Sequence, residues 1–351
     1  MHLFDYISGQ PQTHHRKRHY TIRETLGVGG FAEVKKATAL DTGREVAIKI
    51  IPKTRIRDMT QQIFRQNTLL TLKHPHIIET IEWFESKGHI YIVFELAAGG
   101  ELFEHLIEFS EAEAREVMYA LVDGVAYLHS RNIVHRDLKP ENVLYRTPPG
   151  SHPEIGHDDC VISDFGLAAY VDPKGGRLHT VAGSAGYTAP EVYPEEGVVE
   201  GRGQGKGYGL KADVWSLGII AFCCLGGRFP YKETDPEKIA DEARRTKLYF
   251  PRSWENVSET AKDFIRRLLT VDEDERPTAA EALEHPWLRV ALSRPPSPSG
   301  HPVVPPAQPD YHPDEHHLGP TLSRTDTLTD HAPIIEKRGT FSSDTGDRAV
   351  V

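Results

Sequence analysis

The spacing of polar and apolar positions changes period partway along the chain. In residues 20–40, "YTIRETLGVGGFAEVKKATAL", the two kinds alternate around a glycine-rich centre. The stretches "REVAIKII" (44–51) and "HIYIVFEL" (89–96) are rich in β-branched and aromatic residues. Both features predict strands. One helical pattern, about Met59 to Leu72, interrupts them. Beyond residue 110 the period becomes helical, with Val117, Leu121, Val125 and Leu128 on one face. Ser110 and Glu113 precede that face as S-x-x-E, the pattern in which serine and glutamate reciprocally cap a helix start. The expectation is an α+β chain: a small sheet-rich lobe, a larger helical lobe, and a ligand cleft between them.

The patterning fails at both ends. Residues 1–19 are polar and His-rich, and 289–351 contain "SRPPSPSGHPVVPPAQPDYHPDEHH". Too little apolar surface is present there to offset the entropy of ordering, so a flexible N-terminal tail and a disordered Pro/Ser/His-rich C-terminal tail are expected. His312, His316 and His317 beside Asp314 and Glu315 read as solvated, since nothing fixes them as metal ligands. The domain between is placed at 20–288, with lobes at about 20–95 and 98–288.

Composition narrows the classes. A formal charge of −10 disfavours nucleic acid and anionic membranes as partners. The longest apolar run, Val214 to Leu225, is interrupted by Ser216 and falls short of the ~20 residues a spanning helix needs. "MHLFDYISGQ" lacks the layout of a signal peptide, and His2 excludes the myristoylation pattern. Three cysteines, Cys160, Cys223 and Cys224, have no metal spacing and fit a cytoplasmic or nuclear location.

Three stretches carry chemistry. "LGVGGFAEV" places Gly27, Gly29 and Gly30 between strand-like positions, which suits either a hairpin turn or close approach of amides to phosphate oxygens. Lys49 ends "VAIK", where an ammonium in an apolar strand needs a partner or an exit to solvent. "HRDLKPEN" (135–142) packs charge between apolar pairs. Phosphoryl transfer needs a carboxylate near the attacking hydroxyl, a cation near the moving group and oxygen ligands for magnesium. Asp137, Lys139 and Asn142 supply one of each, and Asp164 of "SDFG" adds a second magnesium oxygen.

In this order and at these distances, the glycine-rich loop, "VAIK", "HRDLKPEN", "DFG" and "APE" (189–191) resemble the eukaryotic protein kinase family over about residues 20 to 288. "KPEN" resembles the serine/threonine subfamilies. "FELAAGGELFEHL", "AGYTAPEV" and "DERPTAAEALEHPWL" look most like the calcium/calmodulin-dependent group. The resemblance implies the two-lobed kinase fold, ATP and Mg2+ as cofactors, protein substrates and an upstream activating kinase. It implies Asp137 as the acceptor of the substrate hydroxyl proton and Lys139 as the cation at the moving phosphoryl group. Asn142 and Asp164 would hold magnesium. Lys49 would meet the α- and β-phosphates, and Gly27, Gly29 and Gly30 would cover them. Leu26, Val34, Ala47 and Leu144 would enclose the adenine, Phe94 would back it, and Glu95 and Leu96 would offer hinge backbone atoms. Glu191 would pair with Arg276, Asp213 would brace the catalytic loop, and Ser184 would face Asp137. Thr180 matches a regulatory phosphorylation position, facing Arg136. Glu101 and Glu141 match acids that favour arginine three residues before the target hydroxyl.

Two departures stand out. The family's small-lobe helix carries a glutamate for the strand lysine, but counting back from "HPHII" puts Arg65 there, next to Gln66. A slip of register, another acid, or an impaired kinase serving as a nucleotide-binding scaffold each accounts for it. Relatives also carry a basic amphipathic helix after the domain. "RVALSRPPSPSG" breaks any helix there, so calmodulin binding through this tail is not expected. Two long stretches, 145–160 and 193–209, read as flexible surface loops.

Overall fold

The structure, a computed structural model, describes residues 16–30, 32–56, 66–106, 109–149, 151, 156–193 and 207–289. Both expected tails lie outside these apart from residues 16–19 and 289, as does Arg65. Five strands form the first lobe: β1 (Tyr20–Val28), β2 (Glu33–Ala39), β3 (Glu45–Pro52), β4 (Thr80–Glu85) and β5 (His89–Glu95). They make one antiparallel sheet in the order β1-β2-β3-β5-β4. Alternation along β3 buries Val46 and Ile48 against Ala37, Phe84, Tyr91 and Val93. The other set turns Ala47 and Lys49 away from that core. Residues 66–71 are helical, so the described part of the expected helix is present.

The second lobe begins with α1 (Glu111–His129). Its start carries the expected capping box: the Ser110 side chain accepts from the Glu113 amide, and the Glu113 carboxylate accepts from the Ser110 amide. The four residues of the anticipated face, Val117, Leu121, Val125 and Leu128, are all buried. Next comes α2 (Lys211–Gly226), which is apolar all round and sits in the middle of the core. The apolar run 214–225 is therefore a core helix, and no helix among the described residues is long and apolar enough to cross a membrane. α3 (Pro236–Arg245), α4 (Glu259–Leu268), α5 (Ala279–Leu283) and α6 (Pro286–Arg289) complete the lobe. Between α1 and α2 run β6 (Ile133–Val134), β7 (Val143–Tyr145), β8 (Cys160–Ile162) and β9 (Ala169–Tyr170), paired as β6-β9 and β7-β8.

Both stretches read as flexible loops are tied down at their far ends. His157 packs edge-on to Phe109, lies near the Tyr145 hydroxyl and donates its backbone amide to the Glu116 carboxylate at 3.1 Å. Tyr208 is buried, and its backbone pairs with Leu178. The glycines flanking Tyr208 signalled freedom, but the aromatic ring between them has apolar surface to bury.

Arg276 joins the "APE" turn to α2. It is fully buried, donates to both carboxylate oxygens of Glu191 at 2.6 and 3.0 Å, and reaches the carbonyls of Lys211 and Thr270 at 2.9 Å. Its guanidinium lies 5.1 Å from the Trp215 ring. Removing one partner of such a pair leaves the other charged and unpaired, at about 3–5 kcal/mol. Arg276→Ala should therefore lose about that much in denaturant unfolding, and Arg276→Lys should recover only part, because lysine cannot make the bidentate fork. A loss under ~1 kcal/mol, the worth of a surface pair, would contradict this reading.

Candidate active site

The catalytic loop follows β6, and its shape is set from below. Asp213, fully buried on α2, accepts the His135 amide at 2.8 Å on Oδ2 and the Arg136 amide at 2.9 Å on Oδ1. Oδ2 also meets His129 Nε2 at 3.0 Å. Burial pushes the Asp213 carboxyl up, but the His129 hydrogen bond and charge, with His135, outweigh it and hold the group below its usual range. Arg136 is thereby fixed at φ 70°, a left-handed conformation that costs a non-glycine residue of order 1 kcal/mol or more.

His135 passes the constraint on. Its Nδ1 accepts the Asp137 amide at 3.3 Å, so its Nε2 carries the proton and donates to the Ser163 carbonyl at 2.9 Å. The ring meets Phe165 edge-on at 4.8 Å. Ser163 in turn donates both its amide and its hydroxyl to the Asn142 carbonyl. The catalytic loop and the "DFG" turn are thus one hydrogen-bonded unit.

Four expected side chains meet on that unit. Asn142 donates through Nδ2 to the Asp137 carbonyl at 2.7 Å and to Asp137 Oδ2 at 3.1 Å. Lys139 Nζ lies 3.6 Å from Asp137 Oδ2 and donates to the Ser184 hydroxyl at 2.8 Å. Ser184 donates to Asp137 Oδ1 at 2.7 Å, so it does face the aspartate as anticipated. Asp164, at φ 53°, accepts from the Gly166 amide and from Lys49 Nζ at 2.6 Å. Burial raises the Asp164 carboxyl, yet the Lys49 charge and bond bring it below its usual range. Lys49 crosses from β3 to make this pair, so the strand lysine has an acidic partner in Asp164. Gln66, beside position 65, is buried with its Oε1 unbonded among the described residues.

The donor set fits the expected cofactors. Both Asn142 donors face Asp137, which leaves its amide oxygen for a cation, and the Asp164 carboxylate stands open to the cleft. Among the described residues, a Cβ added at Gly27 or Gly30 would meet no atom within 4 Å, and one at Gly29 only the Ala32 carbonyl at 3.7 Å. Nothing in the described packing demands glycine there, so the space above the loop suits a ligand. Leu26 and Val28 are exposed, at 49% and 78%, while Val34, Ala47 and Leu144 are half-buried.

At the expected hinge the Glu95 amide donates to the Glu79 carbonyl, so of its backbone groups only the carbonyl could face a base. Its carboxylate takes a two-toothed bond from Arg146, just after β7, at 2.9 and 3.1 Å. Sequence reading also missed Tyr208, whose hydroxyl donates to the Thr180 carbonyl at 2.7 Å and accepts from Arg136 at 3.1 Å. Only the aromatic inside a glycine-rich stretch hinted at it. Arg55 donates to the Gly30 carbonyl, a second unanticipated hold on the glycine loop.

A protein kinase domain model matches residues 20–288. The chain belongs to the protein kinase family. It is 41% identical over 292 residues to the calcium/calmodulin-dependent protein kinase cmkA of Emericella nidulans, covering 82% of this chain and 66% of that one. It is 37% identical to the calcium/calmodulin-dependent protein kinase type 1 of Macrobrachium nipponense, over 77% of this chain and 74% of that one. It is 38% identical to the serine/threonine-protein kinase DCLK1 of Rattus norvegicus, over 77% and 60% respectively. ATP as substrate and Mg2+ go with this kinase family.

The "DFG" glycine has a local reason. A Cβ at Gly166 would lie 3.0 Å from Asp164 Oδ1, the oxygen that already holds Lys49. Gly166→Ala should cut phosphoryl transfer at least tenfold. Gly30→Ala should leave the melting temperature unchanged yet weaken nucleotide binding, as read by titration with a fluorescent ATP analogue. Unchanged transfer in Gly166→Ala would contradict the geometry.

Proposed function

We propose that this kinase transfers the γ-phosphoryl group of ATP to serine and threonine hydroxyls of proteins. The observation that carries the reading is the convergence of Asp137, Lys139, Asn142 and Asp164 on one braced unit. The Ser184 hydroxyl already donates to Asp137 Oδ1, the geometry in which an incoming hydroxyl gives up its proton. Lys139 then neutralises charge at the moving group, and Lys49 orients the nucleotide from above. Magnesium, held by Asn142 and Asp164, would supply charge neutralisation between the phosphates. The scaffold alternative rested on Arg65, outside the described residues, and no observation favours it. Wild type should transfer labelled phosphate to a mixture of basic serine/threonine peptides, with or without calcium and calmodulin. Asp137→Asn and Asp164→Ala, both tested for folding, should lose at least 10²-fold. Nucleotide binding without transfer in wild type would overturn the assignment, and stimulation by calmodulin that needs residues 289–351 would overturn the reading of the tail.

Glu101 and Glu141 support a preference for basic peptides. Glu141 Oε2 is buried with no hydrogen-bond partner among the described residues. Burial raises both carboxyls, and at Glu101 the neighbouring Glu141 and Glu104 add to it. A pit of crowded carboxylates with a spare acceptor suits a guanidinium. Glu141→Gln should remove most of the preference for upstream arginine. A carboxyl raised in the fold costs stability as pH climbs from its unfolded value through its folded one. Glu141→Gln should accordingly be more stable than wild type at pH 7 and no more stable under acid conditions. An arginine preference that survives the substitution would rule out this role.

Thr180 is exposed, and Tyr208 ties its backbone to Arg136. A phosphate added there by an upstream kinase would meet that guanidinium and order the segment. Phosphorylated wild type should exceed Thr180→Ala at least tenfold in kcat, with both equal before phosphorylation. Full activity in Thr180→Ala, with no phosphate ever found at 180, would remove the switch.

A further inference from the structure

A groove of about 380 Å³ opens on the second lobe, between the chain leading into α4 and α4 itself. Its floor is aromatic. Phe250 and Trp254 pack on each other at 5.0 Å and on Phe222 of α2 at 5.8 and 4.6 Å. Gly226 lets the indole lie against α2, since a Cβ there would come within 2.6 Å of it. Tyr249, at the rim, is 62% exposed. Three cations surround it. Lys262 and Arg266 share Glu259, at 2.8 and 3.8 Å, and Arg266 also covers Phe250 at 4.9 Å. Arg252 makes no ion pair among the described residues.

We propose that this groove seats the chain's own proline-rich segment, residues 295–310, as a polyproline II strand. Aromatic ridges are the surface such strands recognise, because proline fixes φ near −65° and little further entropy is lost on docking. The segment "PPSPSGHPVVPPAQPD" has seven prolines among residues 295–310, so helix and sheet are both closed to it. Charge matches as well. Residues 295–315 hold Asp310, Asp314 and Glu315 and no lysine or arginine, opposite the unpaired Arg252.

Reach favours the same chain. The last described helix, α6, packs on α4 through Trp287 on Phe264 at 5.0 Å, and His285 just before it meets Asp263 at 3.1 Å. Glu259, Lys262 and Arg266 of that same α4 line the groove. Five residues lie between Arg289 and Pro295, and the six chain steps span up to ~20 Å extended, against ~15 Å for the whole length of α4. A tether this short gives an effective concentration on the order of millimolar, so a weak contact suffices. The proposal is independent of the phosphoryl-transfer chemistry.

The three native cysteines are buried, so Ala307→Cys provides one accessible thiol in the full chain. It would carry a benzophenone maleimide, be irradiated, and be mapped by peptide mass spectrometry. Cross-links should concentrate within residues 248–266 of the same chain. Tyr249→Ala and Arg252→Glu should each reduce them at least fivefold without changing transfer. Cross-links scattered over the surface, or insensitive to both substitutions, would overturn the proposal. Adducts found only between two differently labelled copies would overturn it too, since the occupant would then be a second chain's tail.

Discussion

One buried carboxylate organises this site. Asp213 carries a charge with no solvent contact, and it remains ionised because two backbone amides and His129 face it. Those amides belong to consecutive residues, His135 and Arg136, and holding both requires the left-handed turn at Arg136. Everything catalytic follows from that turn. It aims Asp137 into the cleft, sets the His135 ring under Phe165, and through Ser163 fixes the height of Asp164 against Asn142. The anchor is rigid because α2, which bears Asp213, is packed on all sides. Its hydrogen bonds work in a low-dielectric interior, where each is strong and each would be costly to leave unmade.

The lobes are tied to this anchor by two ion pairs of different character. Lys49 to Asp164 lies at the mouth of the cleft, with side-chain exposures of 18% and 44%, so its partners are open to exchange with a nucleotide and a cation. Arg146 to Glu95 is bidentate and shielded, and Arg146 also reaches the Pro75 carbonyl. The first pair suits rearrangement on binding, and the second suits a hinge that keeps its register. Lys49 thus has a carboxylate partner in Asp164.

Much of this was legible in the sequence, for reasons that differ by feature. The change from period 2 to period 3.6 gave the lobe order, because burial of one face acts locally. Ser110 and Glu113 were legible because a helix cap is complete within four residues. Asp137, Lys139, Asn142 and Asp164 were legible as a set through their spacing and the family resemblance. The bonds that position them were not. Arg146 and Glu95 are 51 residues apart and Tyr208 and Arg136 are 72 apart, and neither pairing leaves a local periodic trace. Glycines around Tyr208 suggested a free loop, but a buried ring overrode the backbone's latitude. The resemblance pointed to the Glu95 backbone and gave no sign that its side chain would join the lobes through Arg146.

The dependence of the site on Asp213 is open to a direct measurement: amide hydrogen exchange at His135 and Arg136, in wild type and in Asp213→Asn. The asparagine keeps one acceptor oxygen but turns a donor toward one of the two amides. In wild type both amides should exchange among the slowest in the chain. In the variant, protection of at least one should fall by about two orders of magnitude, about 2.7 kcal/mol, with phosphoryl transfer falling alongside it. Rapid exchange at both amides in wild type, or full transfer by a variant that has lost the protection, would contradict the account.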